Sequence, residues 1–101
     1  MLFYLVMGET GEYEDRRDWV VCGFTTEALA KKHCEKCNME ASRIWNLEDD
    51  RGTVDSSMSK RRHANDYVEL NPPTVDPHMS FDYNGTTYYV SGPYGLMDEE
   101  E

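Results

Sequence analysis

The sequence predicts an α+β fold, an antiparallel sheet of four or five strands with one main helix packed on one face. Three observations lead there. Trp19-Val20-Val21-Cys22-Gly23-Phe24 has the β-branched and aromatic composition of a packed strand, and it turns directly into a segment with helical apolar spacing. Leu2-Phe3-Tyr4-Leu5-Val6-Met7 is a second strand-like run. Asn84-Gly85, between two alternating segments, is the sharpest hairpin signal in the chain. The expected order is two strands, a helix, an optional short second helix, and three strands, in one domain over residues 1–97 with an acidic tail at 98–101.

The first run is apolar on both faces, which suits a strand covered on two sides or a strand at an interface. Gly8-Glu9-Thr10-Gly11-Glu12-Tyr13-Glu14-Asp15 carries two glycines and four carboxylates and reads as the loop to an antiparallel partner, Arg17–Phe24. Thr25 offers an N-cap hydroxyl, and Phe24 can staple onto Leu29. On a helix begun near Thr26, the residues Ala30, His33, Cys34, Cys37, Ala41, Ile44 and Trp45 share one side. That stripe runs past Asn38, so the helix is expected to reach about Leu47. There Glu48-Asp49-Asp50 meets the negative end of its dipole and favours a stop.

Arg51–Asp66 is the least patterned part; a short helix at Ser57–Asn65 and a loop fit it equally. It holds the one basic cluster, Lys60-Arg61-Arg62-His63, read as a solvated face. Tyr67-Val68-Glu69-Leu70 alternates and is expected as a third strand, stopped by Asn71-Pro72-Pro73. A two-residue turn at Asn84-Gly85 pairs Tyr83 with Thr86, Phe81 with Tyr88 and Met79 with Val90. Those six then share a face, with Ser80, Asp82, Thr87 and Tyr89 on the other. Gly92-Pro93 is expected to end the last strand.

A chain of 101 residues supports one modest core, to which twelve aromatic residues contribute. Its formal charge of −10 repels phosphate backbones and makes direct nucleic-acid binding a poor expectation. The natural complement is a basic surface on another protein, and such surfaces are often nucleic-acid sites. The apolar N-terminal run lacks a basic n-region and is too short for a signal core or a membrane span, so a cytoplasmic protein without membrane contact is expected. Three cysteines, an odd number, argue against a disulfide framework.

His33-Cys34-x-x-Cys37, with Cys22 nearby, is the one cluster resembling metal or thiol chemistry. The two cysteines fall at the centre of the apolar stripe, no second CxxC or HxxxH pair accompanies them, and a redox pair would sit at the helix N-terminus. Core packing is the preferred reading, and no metal or cofactor is assigned. Glu9, Glu12, Glu14, Asp15 and Asp18 do not have calcium-loop spacing. They and Tyr13, as an aromatic anchor, are the expected partner-binding residues; a solvated turn explains the same residues equally well. Asn84-Gly85-Thr86 matches a glycosylation sequon but is better explained by the turn. Nucleophile elbows, phosphate loops and Rossmann glycines are absent, so no enzymatic activity is expected.

Gly11-Glu12-Tyr13-x-Asp15, Trp19-Val-Val-Cys-Gly-Phe24, Glu27-x-x-Ala30 and Asn38, with the later Asp76-Pro77 and Asp82-Tyr83-Asn-Gly85-Thr86-Thr-Tyr88, resemble a loose group of uncharacterised small bacteriophage proteins. These share a strand, a Gly-Glu-Tyr-Ser-Asp-like turn, a second strand and a helix. The resemblance covers about the first 38 residues and residues 76–90; Glu14 stands in the usual Ser place, and the long Arg43–Asn71 middle is a departure. It implies action inside an infected bacterial cell. The expected function is then a small acidic phage accessory protein that binds and inhibits a bacterial protein, such as a CRISPR-type defence component, by presenting carboxylates to a basic nucleic-acid-binding surface. A zinc- or thiol-dependent protein using His33, Cys34 and Cys37, and a structural or assembly component, are the alternatives.

Overall fold

The structure, a computed structural model, describes residues 1–47 and 57–95. Two strands, β1 (Leu2–Thr10) and β2 (Arg17–Phe24), are joined through a single 3-10 turn at Tyr13–Asp15. Helix α1 (Glu27–Trp45) follows, then α2 (Ser57–Leu70) and a last strand, β3 (Thr86–Gly95). The architecture is α+β, with both β2 and β3 antiparallel to β1 in the order β2-β1-β3.

The β1–β2 hairpin forms where the sequence places it, with Gly8 opposite Trp19 and a bulge at Val6/Met7. Helix α1 is the main helix. Its N-cap is Thr26 rather than Thr25, because the Thr26 side chain accepts the Leu29 N–H at 3.3 Å. Leu29 stays half exposed, and the Phe24 ring lies 5.5 Å from the His33 ring. The helix stops at Trp45, where Asn46 donates its side-chain N–H to the Ser42 carbonyl. Ala30, Cys34, Cys37, Ala41 and Ile44 are buried along one stripe and meet the sheet through Tyr4, Val6, Trp19, Cys22, Phe24, Tyr88 and Val90.

Among the described residues the sheet has three strands, not the four or five expected. Tyr67–Leu70, expected as a strand, is the last turn of α2. Ala64 and Val68 are buried four residues apart, a spacing that serves a helix, and Asn71 closes the turn by donating its backbone N–H to the Tyr67 carbonyl at 2.8 Å. Met79–Tyr83, expected to pair with Thr86–Val90, is not a strand; its one bridge is Asp82 with Gly85. A type I′ turn needs positive φ at both central residues. The positive φ here falls on Gly85 and not on Asn84, so the turn is centred one residue earlier, at Tyr83-Asn84, and closed by the Gly85 N–H on the Asp82 carbonyl. Met79 and Phe81 reach the core nonetheless.

Freed of that hairpin, β3 pairs with β1 from Thr86 to Ser91 and again at Tyr94 and Gly95, with Gly92-Pro93 unpaired at the register shift between Phe3 and Leu5. Pro93 is tolerated because β3 is an edge strand, where a missing N–H breaks no ladder. The short-helix option over Ser57–Asn65 is realised as the longer α2. The expected acidic stop at 48–50, the rest of the irregular stretch up to residue 56 and the 98–101 tail lie outside the described residues. No helix among the described residues is long and apolar enough to cross a membrane.

Candidate functional site

The acidic hairpin splits into two sets. Glu9 and Asp18 face each other across β1 and β2, and Arg16 lies between them, with nitrogens 2.6 Å from a Glu9 oxygen and 3.2 Å from an Asp18 oxygen. Tyr89, two strands away, donates its hydroxyl to Asp18 at 2.6 Å, and Thr87 donates to Glu9 at 3.2 Å. The Tyr89 hydroxyl and the Arg16 guanidinium hold the Asp18 carboxyl below its ordinary range. These two acids tie the three strands together and are spent on that.

Glu12, Tyr13, Glu14 and Asp15 are presented differently. All four side chains are exposed on the 3-10 turn and its entry, and Tyr13 is 94% exposed. Tyr13 has φ of 54°, a left-handed conformation that costs a non-glycine residue about 1–2 kcal/mol. What holds it is next to it. Gly11 (φ 85°) turns the chain so tightly that a Cβ would collide with the Asp15 carbonyl. The Asn84 amide takes both backbone groups of Gly11: Gly11 N–H donates to Oδ1 at 3.0 Å and Nδ2 donates to the Gly11 carbonyl at 3.1 Å. Thr10, 2% exposed, donates its hydroxyl to the Gly85 carbonyl at 2.6 Å and accepts the Asp82 N–H at 2.8 Å.

The acidic turn is thereby pinned to the Asp82–Gly85 turn, and the two enclose an open hollow of about 450 Å³ walled by Tyr13, Tyr83, Glu12, Asp15 and Asp82. Arg61 of α2 already stands over the Tyr83 ring, 4.9 Å from its centroid, with Nε 3.7 Å from an Asp82 oxygen. Two tyrosines and three carboxylates line the hollow, side chains whose chemistry suits a planar or ammonium cation. Asp82, Tyr83 and Asn84 were missed as site residues: nothing local to residues 82–84 signals that the fold brings them to residues 11–15.

The thiol cluster has other employment. His33 Nε2–H donates to the Val75 carbonyl at 2.8 Å, the Cys37 thiol points at the same oxygen at 3.6 Å, and Asn38 Nδ2 approaches Cys34 Sγ at 3.7 Å. Burial raises the thiol pKa of Cys22, Cys34 and Cys37, the last to about 12, which favours the protonated thiol and lowers nucleophilicity. Among the described residues no group of three or more His, Cys, Asp or Glu side chains is placed to hold a metal. Beside the thiols sits a buried carboxylate, Asp76 (1% exposed), which accepts from Trp19 Nε1–H at 2.9 Å, the Tyr88 hydroxyl at 2.6 Å and the His78 N–H at 3.0 Å. With its donors supplied by the protein, it fastens β2 and β3 to the 72–80 segment. In comparisons with known proteins, no family model, curated protein or solved structure matches this chain.

Proposed function

We propose that this chain is a non-enzymatic binding protein that offers the turn Glu12-Tyr13-Glu14-Asp15 to a basic surface of a partner protein. The carrying observation is the contrast within the acidic hairpin: Glu9 and Asp18 are tied up by Arg16, Tyr89 and Thr87, while Tyr13 stands 94% exposed between carboxylates that have no ion pair among the described residues, on a braced turn. A turn held rigid before binding loses little entropy on docking, and an exposed tyrosine is a favoured anchor. The hollow between Tyr13 and Tyr83 suits an arginine or lysine side chain of that partner, as Arg61 already rests on Tyr83. The phage resemblance and the charge of −10 extend the proposal: the partner is a bacterial protein, such as a defence effector, whose basic groove serves nucleic acid, and occupation of that groove inhibits it inside the infected cell.

The test is capture of partner from host lysate by the wild type and by a Glu12→Lys/Glu14→Lys/Asp15→Lys variant. The variant is expected to lose capture while its melting temperature stays within a few degrees, since none of the three side chains is buried. Unchanged capture overturns the reading.

A further inference from the structure

Among the described residues, none packs over the sheet face opposite α1. Strand alternation sends Phe3, Leu5, Met7, Val20, Tyr89 and Tyr94 to that side, and none of them packs against the buried cluster that their neighbours Tyr4, Val6, Trp19, Tyr88 and Val90 meet. The Phe3 and Tyr94 rings lie 5.7 Å apart, and Val20 and Tyr94 are 54% and 42% exposed. The three strands carry two acidic side chains, Glu9 and Asp18, gathered at one end of this face around Arg16. On a chain of charge −10, six apolar and aromatic side chains thus form a plate almost free of net charge.

We infer that two copies of this chain pack on each other through this face, sheet against sheet, about a two-fold axis that runs across the strands. Isologous contact requires a self-complementary patch. With the axis across the strands, Leu5, Met7 and Val20 meet their counterparts at the centre. The Glu9–Arg16–Asp18 end of one copy then lies over the Phe3–Tyr94 end of the other, a guanidinium on aromatic rings. An axis along the strands would instead press two acidic ends together in a desolvated gap. Helices and acidic turns then point outward, separated by two sheet layers of about 10 Å spacing, where salt screens their repulsion. Three strands about 4.8 Å apart with about eight residues of about 3.3 Å each give a plate of about 14 by 26 Å per copy. With side-chain relief, two such plates cover about 1,000 Å², the lower bound for a specific interface and the size class of weak, transient association. A lipid surface fits less well, because anionic headgroups repel this chain.

Sedimentation velocity of the full chain, from about 10 to about 500 µM, reads this directly. The expected result is a monomer–dimer equilibrium that tightens as salt rises from about 20 to about 500 mM, since apolar contact gains as repulsion is screened. Val20→Lys and, separately, Tyr94→Arg are expected to weaken it at least about tenfold; both positions are solvent-facing, and far-UV circular dichroism confirms their folding. Glu14→Lys, on the acidic turn, leaves dimerisation intact, which keeps this result separate from partner capture. A wild type that stays monomeric at the highest concentration and salt leaves the face to some other protein and overturns the proposal, as does a dimer that survives both substitutions.

Discussion

Asn38, in the middle of α1, holds both backbone polar groups of Tyr88: the Tyr88 N–H donates to Asn38 Oδ1 at 2.7 Å and Asn38 Nδ2 donates to the Tyr88 carbonyl at 3.1 Å. The side-chain amide acts as one rung of a strand that is not there. Asn65 repeats the device on Phe81, at 2.9 Å in both directions, and Asn84 repeats it on Gly11. Three asparagines thus satisfy paired backbone groups, one in strand β3 at Tyr88 and two outside the sheet at Phe81 and Gly11. Asn38→Leu strands two backbone groups beside a buried tyrosine and is expected to cost about 2–4 kcal/mol. Urea unfolding at unchanged m checks it; a loss below about 0.5 kcal/mol removes the amide from any structural role.

Gly8 lies directly under the Trp19 ring, where a Cβ would overlap the indole. Gly8→Ala therefore displaces Trp19 and breaks its bond to Asp76. Trp19→Phe breaks the same bond at an expected cost of about 1.5–3 kcal/mol, that of a hydrogen bond to a charged acceptor. Because the two changes share one consequence, the double variant is expected to fall short of the sum of the singles by at least about 0.5 kcal/mol. Strict additivity would show that Gly8 does not act through Trp19.

Asp18 owes its lowered pKa first to the Tyr89 hydroxyl and then to Arg16. Its folded value lies below the unfolded one, so the stability it adds is present above the ordinary carboxylate range and is lost as pH falls through the folded value. Tyr89→Phe is expected to move the Asp18 midpoint upward in a carboxyl NMR titration. The reciprocal effect sits on Tyr89, whose hydroxyl is pushed up to about 12 because ionisation would set a phenolate against Asp18. Asp18→Asn should lower the tyrosinate midpoint of Tyr89. An Asp18 midpoint indifferent to Tyr89→Phe would mean the bond is not formed in solution.

Cys37 is fully buried and its thiol is pushed up to about 12, first by burial and then by the neighbouring Asp76. Between the unfolded value near 8.5 and that figure, the unfolded chain gives up the proton and the folded chain keeps it, so stability must fall as pH rises from about 9. Each such group contributes a slope of at most about 1.4 kcal/mol per pH unit. Tyr88, whose hydroxyl burial also raises, adds to the decline at higher pH. Cys37→Ala is expected to flatten the alkaline limb of a denaturation series between pH of about 9 and 10.5. The native thiols should also react with a disulfide reagent far more slowly than the urea-unfolded chain, and equal rates would contradict the buried-thiol account.

The sequence by itself determined the parts whose partners are near in the chain. The β1–β2 hairpin follows from two apolar runs about a glycine-bearing acidic loop, and α1 follows from a stripe spaced by three and four from Ala30 to Ile44. The burial of Cys34 and Cys37 follows from the same stripe. Short apolar runs misled where two periodicities coincide, so Tyr67–Leu70 read as a strand although Ala64 and Val68 mark a helical face. Only the tertiary structure decided that β3 pairs with β1 rather than with Met79–Tyr83. That choice rests on contacts more than seventy residues apart, among them Thr10 with Asp82 and Gly85 and Gly11 with Asn84. It rests also on Asn65, whose amide satisfies Phe81 in place of a neighbouring strand. The pairing of β3 with β1 also separated the acidic residues: it brings Thr87 to Glu9 and Tyr89 to Asp18, beside their local partner Arg16, and leaves Glu12, Tyr13, Glu14 and Asp15 outward. Charge and composition are properties of a segment, whereas which carboxylate finds an internal donor depends on what folding brings beside it.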